Sequence, residues 1–180
     1  EENGKMKTEA ASSPITIQQL ASHTSGLSYS FVPGPVGAMY IAEEMERGLG
    51  NVPSAGGEFF TEGTKPPFGN LREWTKALAE LPLVAQPGTV WNYSVGMDVL
   101  GALIEEVSGM TFGEFLEERI FSPLGMEDTG FIVPEEKLNR FAANYSPTPD
   151  NMMLMDDPEK SGYRTPPQLE SGGGGLVSTV

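Results

Sequence analysis

A tyrosine near the middle of the chain is the side chain best placed to do chemistry. Tyr93 lies in the run Trp91-Asn92-Tyr93-Ser94, after the Pro87-Gly88 turn and directly before the most strongly periodic apolar stretch. A phenol at that point stands near the positive end of a helix dipole, which modestly favours the phenolate. A phenol ordinarily ionises near pH ~10, so general-base work also needs nearby ammonium groups, which the neighbouring sequence does not supply. From this pattern alone, a buried structural tyrosine is the simpler interpretation.

The other reactive side chains do not form a recognisable site. The single histidine, His23, has no ligand cluster around it, so no metal site is expected. Gly172 to Gly175 lack the Lys-Ser/Thr pair of a phosphate loop, and no Gly-x-Ser-x-Gly elbow occurs. His23 and Ser25 are close neighbours at a helix end and are not expected to pair, so His23 is predicted to cap that helix or fill the core. Glu105-Glu106 and Glu117-Glu118 are adjacent on predicted helices and diverge, which argues against a glycosidase-like dyad.

Composition narrows the classes of partner. The net charge of −14, from 25 acidic and 11 basic residues, repels phosphate groups, so neither nucleic acid nor an anionic membrane is expected as a partner. The chain has no cysteine, which excludes disulfides, thiol nucleophiles and thiolate metal sites. No apolar run approaches the roughly 20 residues of a membrane helix. A soluble protein is therefore expected, with cytoplasmic and periplasmic locations both open.

The elements that must position Tyr93 are predicted to be mainly helical. Capping-box pairs, which open helices, are Thr16 with Gln19, Asn70 with Glu73, and Thr111 with Glu114. Further helices are predicted over residues 36–49, 94–108 and 134–141, with Gly109 ending the clearest of them. The helix after Thr111 is predicted to end at Pro123 and to turn inward Phe112, Phe115, Leu116 and Ile120. Residues 145–170 are predicted to be irregular, and Gly172 to Gly175 to lead into a terminal strand.

Four stretches of the sequence together resemble one enzyme family. They contain, in order, His23-Thr24-Ser25-Gly26-Leu27, Trp91-Asn92-Tyr93-Ser94, Ser122-Pro123-Leu124-Gly125-Met126 and Ser171-Gly172-Gly173-Gly174-Gly175-Leu176. In type, order and separation they resemble the serine β-lactamase-like superfamily, which includes class C β-lactamases, penicillin-binding proteins and family VIII carboxylesterases. The resemblance covers residues 14–180.

The resemblance implies an all-helical domain held between two chain ends that build an α/β sandwich. The expected fold is mainly α with long loops and little strand, comprising the helical domain and part of the α/β domain of a β-lactamase/transpeptidase-like fold. Residues 1–27 would be the segment that enters from the α/β domain, with the first helix. Residues 28–170 would be the helical domain, whose residues 28–69 form a lid or substrate wall. Residues 171–180 would be the return strand of the α/β domain.

The resemblance also implies a chemistry for Tyr93. In the family a Ser-x-x-Lys serine is acylated, the tyrosine of a Tyr-x-Asn motif helps to move its proton, and a late Lys-Thr-Gly-like motif lines the oxyanion side. Tyr93 matches that tyrosine, while Trp91, Asn92, Ser94 and Val95 would form the substrate site around it. Val95 stands where lactamases place asparagine, so an amide contact to the substrate is missing. This departure favours esters over β-lactams.

Two family motifs are absent from these 180 residues. No serine is followed by lysine three residues later, and no Lys-Thr-Gly or His-x-Gly occurs. The sequence therefore predicts a portion of a serine hydrolase that cleaves carboxylic esters through an acyl-enzyme and is inactive alone. Its expected partners are a small-molecule ester or amide substrate and the remainder of its own chain, with no cofactor. A β-lactamase or D,D-peptidase and a non-catalytic lactamase-like binding protein stay open as alternatives.

Overall fold

A computed structural model describes residues 6–43, 45–47, 49 and 68–179 of the chain. Helices predominate among the described elements, as expected from the sequence, and two short strands form a hairpin. The α-helices are α1 (Ile17–Ala21), α2 (Pro35–Ala42), α3 (Leu71–Leu78), α4 (Gly96–Ser108), α5 (Phe112–Leu116) and α6 (Ser122–Leu124). A π-helical turn (Glu117–Phe121) joins α5 to α6, two 3₁₀ turns span Glu135–Arg140 and Gly162–Arg164, and the strands are β1 (Asn144–Pro147) and β2 (Met152–Asp156).

Helix α4 lies at the centre and packs against α1, α3 and α5. Helices α3 and α5 approach α4 closely at Gly101. A Cβ there would stand 3.5 Å from Leu71 Cδ1 on α3 and 3.2 Å from Phe112 Cδ1 on α5. The missing side chain thus lets α3 and α5 approach the α4 backbone and fill the interior densely. On α3, Trp74 is fully buried and its indole N–H donates to the Met45 carbonyl. The helix that follows Tyr93 is therefore held on three sides.

Local capping signals predicted the helix ends well. The Thr16 and Thr111 side chains each accept the backbone N–H three residues on, and both capping boxes are complete. Asn70 also caps α3, but the Glu73 carboxylate turns to the N–H of Gly69 at 2.8 Å instead of closing the box. Gly109 ends α4 in the left-handed conformation at φ 73°. These ends form as predicted because each is decided by neighbours within one turn.

Three helix predictions need correction. Helix α2 ends at Ala42, not near residue 49, because the chain turns there and the Met45 N–H bonds to the Tyr40 carbonyl at 3.0 Å. The π-helical turn after α5 adds a residue to the helical repeat, so Phe121 is buried and Ile120 is exposed. Pro123 does not end that helix, because proline is tolerated in the first turn of α6, and Gly125 ends it instead.

The last third of the chain contains the β-hairpin. Strands β1 and β2 pair antiparallel inside a segment that was predicted to be irregular. Residues 171–179 form a turn followed by a single bridge between Gly130 and Val177, and no longer strand is present in that stretch. Its predicted return to an α/β sheet stays a prediction. Within the predicted lid, residues 44, 48 and 50–67 lie outside the described residues, and the described part contains helix α2. Among the described helices, none has both the length and the apolar character required to cross a membrane.

Candidate active site

Tyr93 is positioned by a pairing between two loops that are about 65 residues apart in sequence. The N–H of Asn92 donates to the His23 carbonyl at 2.8 Å, and the N–H of Val95 donates to the Ser28 carbonyl at 3.2 Å. The Asn92 amide donates to the Leu27 carbonyl at 2.7 Å. The backbone on both sides of Tyr93 is therefore tied to residues 23–28, so the phenol projects from a fixed segment just before α4.

His23 braces the same segment through its side chain. Its Nδ1 accepts from the Ser94 N–H at 3.3 Å and also lies 3.3 Å from Ser94 Oγ. Because Nδ1 is an acceptor, the proton of a neutral ring resides on Nε2. The predicted roles for His23, a cap on the helix before it or a core filler, are thus replaced by a contact with the Tyr93 loop. Ser25 is fully buried and its Oγ accepts from the Leu27 N–H, so it does not pair with His23.

Five rings form a continuous surface around Tyr93, which we call the aromatic row. The His23 ring lies 6.1 Å from Trp91 and 4.8 Å from Tyr93, centroid to centroid. On the other side, Tyr29 lies 5.1 Å from Tyr93 and stacks on Phe31 at 4.8 Å. Trp91 is 64% exposed, Phe31 65% and Tyr93 45%. The row therefore presents apolar faces to solvent with one exposed phenol near its centre.

The other predicted substrate-binding residues divide by exposure. Trp91 belongs to the aromatic row and can meet a substrate. Asn92 uses its amide for the Leu27 carbonyl and for the Tyr93 carbonyl, so its role is to hold the loop. Ser94 and Val95 have no exposed surface, and direct substrate contact is not available to buried side chains. They support Tyr93 from beneath, and this corrects the prediction that they line the substrate site.

Beneath the aromatic row lies a buried carboxyl group that was not singled out in the sequence. Asp98, in the first turn of α4, is 1% exposed. Its Oδ1 accepts from Ser171 Oγ at 2.5 Å and from the Gly173 N–H at 3.2 Å, while Oδ2 has no hydrogen-bond partner. Burial raises the pKa of Asp98, and the hydrogen bonds from Ser171 and Gly173 oppose the rise. Asp98 thus joins the glycine-rich segment to the helix that follows Tyr93.

A second carboxyl group, half-buried, lies on the Tyr29 side of the site. Glu46 accepts from the Ser30 N–H at 2.5 Å and from Ser30 Oγ at 2.8 Å. Burial raises the pKa of Glu46, and Asp98 adds to the rise. Burial also raises the pKa of the Tyr29 phenol, with further contributions from Asp98, Tyr93 and Glu46. Two carboxyl groups with raised pKa values thus lie on the Tyr29 side of the site, where burial favours their neutral forms.

The arrangement offers an exposed phenol, a rigid backbone and an apolar surface, which suit proton transfer to or from a bound organic molecule. Among the described residues, no group of three or more His, Cys, Asp or Glu side chains could hold a metal ion. Tyr93 lies three residues before Gly96, the first residue of α4, where the partial positive charge of the helix end favours an anion.

The chain belongs to the β-lactamase family, whose model matches residues 6–180. Protein Rv1367c of Mycobacterium tuberculosis is 34% identical over 176 residues, which are 97% of this chain and 38% of that protein. Esterase EstB of Burkholderia gladioli is 35% identical over 131 residues, which are 73% of this chain and 29% of the esterase. The family thus includes ester-cleaving enzymes, and this chain spans well under half of these relatives.

A solved structure supports the same placement. EstCE1, described as a hydrolase with promiscuous acyltransferase activity, matches with a TM-score of 0.70 and 27% identity, covering 92% of this chain and 42% of EstCE1. The mainly helical architecture is therefore part of a fold shared with serine hydrolases of the β-lactamase type. This likeness agrees with the family resemblance that the sequence motifs indicated.

Proposed function

We propose that this chain is the portion of a serine hydrolase that carries the general base, in an enzyme that cleaves carboxylic esters through an acyl-enzyme. The observation that carries the proposal is the placement of Tyr93. Its phenol is 45% exposed, while the residues that follow it, Ser94 and Val95, are fully buried. A reactive group held by a rigid support is what proton transfer at a fixed distance requires.

In the proposed reaction, the Tyr93 oxygen accepts the proton of a serine hydroxyl as that serine oxygen bonds to the ester carbonyl carbon. The tetrahedral intermediate collapses, the bond to the alcohol breaks, and the proton on Tyr93 passes to the departing alcohol oxygen. A water then attacks the acyl carbon and gives a proton to Tyr93; as the bond between the acyl carbon and the serine oxygen breaks, Tyr93 returns that proton to the serine oxygen and the acid leaves. Tyr93 ends each cycle as it began.

The serine and its lysine are proposed to come from the remainder of the enzyme. No serine here has lysine three residues later, and the chain spans 38% of Rv1367c. Ammonium groups supplied by that remainder would stabilise a phenolate at Tyr93. We therefore expect the 180-residue chain to be inactive alone.

Ester substrates are favoured over β-lactams. Position 95 carries a valine, whose side chain offers no amide and is fully buried. The exposed rings of Trp91 and Phe31 would provide an apolar surface for the acyl or alcohol group. The names of EstB, an esterase, and EstCE1, a hydrolase, agree with this choice.

Labelling with a fluorophosphonate serine probe, read by intact mass, tests the proposal. We expect no adduct on the isolated 180-residue chain and one adduct on a longer enzyme that contains it, at a serine outside these residues. An adduct on the chain itself would contradict the proposed origin of the nucleophile. The same enzyme should hydrolyse p-nitrophenyl butyrate, and preferential turnover of nitrocefin would contradict the substrate class.

A further inference from the structure

A second tyrosine stands beside Tyr93 in a defined geometry. The Tyr29 ring lies 5.1 Å from the Tyr93 ring at an interplanar angle of 37°, and the two side chains are within hydrogen-bonding range. On its other side Tyr29 stacks on Phe31, 4.8 Å away and 17° from parallel. The Tyr29 ring is therefore held between two neighbours, and this fixes where its hydroxyl points.

The Tyr29 hydroxyl lies close to Gly173, as does the Asp98 carboxylate. A Cβ at Gly173 would stand 2.9 Å from Tyr29 Oη and 3.0 Å from Asp98 Oδ2, so a methyl group there would crowd both atoms. Asp98 Oδ2 is buried and has no partner, whereas Oδ1 is already held by Ser171 and Gly173. Because the Tyr29 hydroxyl forms no hydrogen bond with Oδ2, the acceptor that remains beside it is the Tyr93 hydroxyl.

A phenol hydroxyl has a single proton and rotates to suit its acceptors. Burial, together with the negative charge of Asp98, raises the pKa of Tyr29, so this phenol keeps its proton and remains a donor. Tyr93 is the more exposed of the two phenols and the one that a substrate and a nucleophile can reach. The two tyrosines are therefore suited to different tasks.

We propose that Tyr29 is a positioning residue for Tyr93, whose hydroxyl donates a hydrogen bond to the Tyr93 oxygen when that oxygen is a phenolate. Tyr29 itself neither gains nor loses a proton over the cycle. The inference rests on the proposed function, in which Tyr93 carries the serine proton. It assigns a purpose to two features that a packing role leaves unexplained: the Tyr29 hydroxyl beside Tyr93 and the glycine at position 173.

Two substitutions reach the Tyr29 hydroxyl by different routes. Tyr29→Phe keeps the stacked ring and removes the hydroxyl. Gly173→Ala keeps the hydroxyl and displaces it, because the new methyl would lie 2.9 Å from Oη. Gly174→Ala is the matched control, since nothing lies within 4 Å of a Cβ at that position.

The first readout is the pH dependence of ester hydrolysis by the longer enzyme that contains this chain. Losing a hydrogen bond to a charged oxygen should lower kcat about 10-fold with little change in KM, and should move the acid limb of the profile upward by about one pH unit. We expect this for Tyr29→Phe and, to a smaller extent, for Gly173→Ala. The Gly174→Ala profile should match the wild type. A Tyr29→Phe profile of unchanged shape would overturn the positioning role.

The second readout does not depend on catalysis. In the 180-residue chain labelled with 3-fluorotyrosine, the fluorine resonance of Tyr93, assigned by its loss in Tyr93→Phe, should shift in Tyr29→Phe and Gly173→Ala but not in Gly174→Ala. A Tyr93 resonance that does not shift in Tyr29→Phe would contradict the contact between Tyr29 and Tyr93. If the resonance shifts but Tyr93→Phe leaves the enzyme fully active, the proposed function has failed and with it the catalytic meaning of Tyr29, although the contact itself stands.

Discussion

Replacing Asp98 with asparagine should stabilise the chain near neutral pH, whereas replacing it with alanine should destabilise the chain throughout. An amide oxygen can keep both accepted bonds, from Ser171 Oγ at 2.5 Å and the Gly173 N–H at 3.2 Å. The amide nitrogen would take the place of Oδ2, which has no hydrogen-bond partner, and the residue would no longer carry a charge that burial disfavours. Alanine offers none of these contacts.

The sign of the pH dependence follows from the direction of the pKa shift. Burial raises the pKa of Asp98 above its ordinary value of 3.8. A folded-state pKa above the unfolded one gives the wild type its full stability below the unfolded pKa, and this stability is lost as the pH rises through the folded pKa. Asparagine does not ionise, so its advantage grows over that interval, by about 1.4 kcal/mol for each unit of pKa elevation. Alanine should cost about 2–4 kcal/mol, because it leaves buried donors unpaired.

Urea unfolding between pH 4 and pH 8, followed by fluorescence, measures both effects. Trp74 is fully buried and Trp91 is 64% exposed, so the emission of Trp74 should dominate the change on unfolding. We expect the asparagine variant to match the wild type near pH 4 and to unfold at higher urea near pH 7, with the same m-value. A difference in unfolding free energy between the two proteins that stays constant across this range would refute the reasoning. A difference that turns against the asparagine variant as the pH rises would refute it as well.

Three further substitutions test helix ends and one surface ion pair. Gly109→Ala should cost about 1 kcal/mol in urea unfolding, because φ is 73° and nothing crowds the new methyl. Thr111→Ala should also cost about 1 kcal/mol, since the bond to the Glu114 N–H is lost. For Asp128→Asn the pH trend should be opposite to that of Asp98. Hydrogen bonds from Arg140 and Lys137 lower the pKa of Asp128, so the variant should be less stable than the wild type at neutral pH. The difference in stability between the two proteins should shrink as the pH falls through the folded-state pKa. A gap that is the same at neutral and acid pH would contradict this.

The helices that the sequence predicted well are those whose ends are decided locally. The side chains of Thr16 and Thr111 meet partners three residues away, and Gly109 supplies a conformation that other residues resist. No contact from elsewhere in the chain is needed to form these ends. This is why α1, α4 and α5 begin or end close to the predicted positions.

Elements that depend on distant contacts were missed. The extra residue in the π-helical turn buries Phe121 in place of Ile120, and apolar spacing cannot distinguish the two neighbours before the turn is known. The hairpin of β1 and β2 has Met152, Met153 and Leu154 exposed, so it lacks the alternating burial that reveals a strand in sequence. In both cases the residues of the segment alone do not indicate which structure they form.

The sequence singled out Tyr93 and Trp91 of the aromatic row, and the chemical role of Tyr93 stays a prediction. The motif and the helix after it pointed to Tyr93. Tyr29, Asp98 and Ser171 carried no local sign of their roles, because the contacts that define them join residues 64 to 75 positions apart. The glycines at positions 172 and 173 are the sequence feature that marks this part of the site. A Cβ at Gly172 would lie 2.4 Å from the Met97 carbonyl oxygen, so the glycine run marks a close approach to α4.

The acylation rate of a Tyr93→Phe variant, measured on a p-nitrophenyl ester in the longer enzyme that contains this chain, tests the role of Tyr93 most directly. Tyr145→Phe is the matched control, because Tyr145 lies in β1 and is 52% exposed. Removal of a general base should slow acylation about 10²–10⁴-fold, while the control should react at the wild-type rate. An acylation rate unchanged by Tyr93→Phe would contradict the proposed chemistry and leave Tyr93 with a structural role.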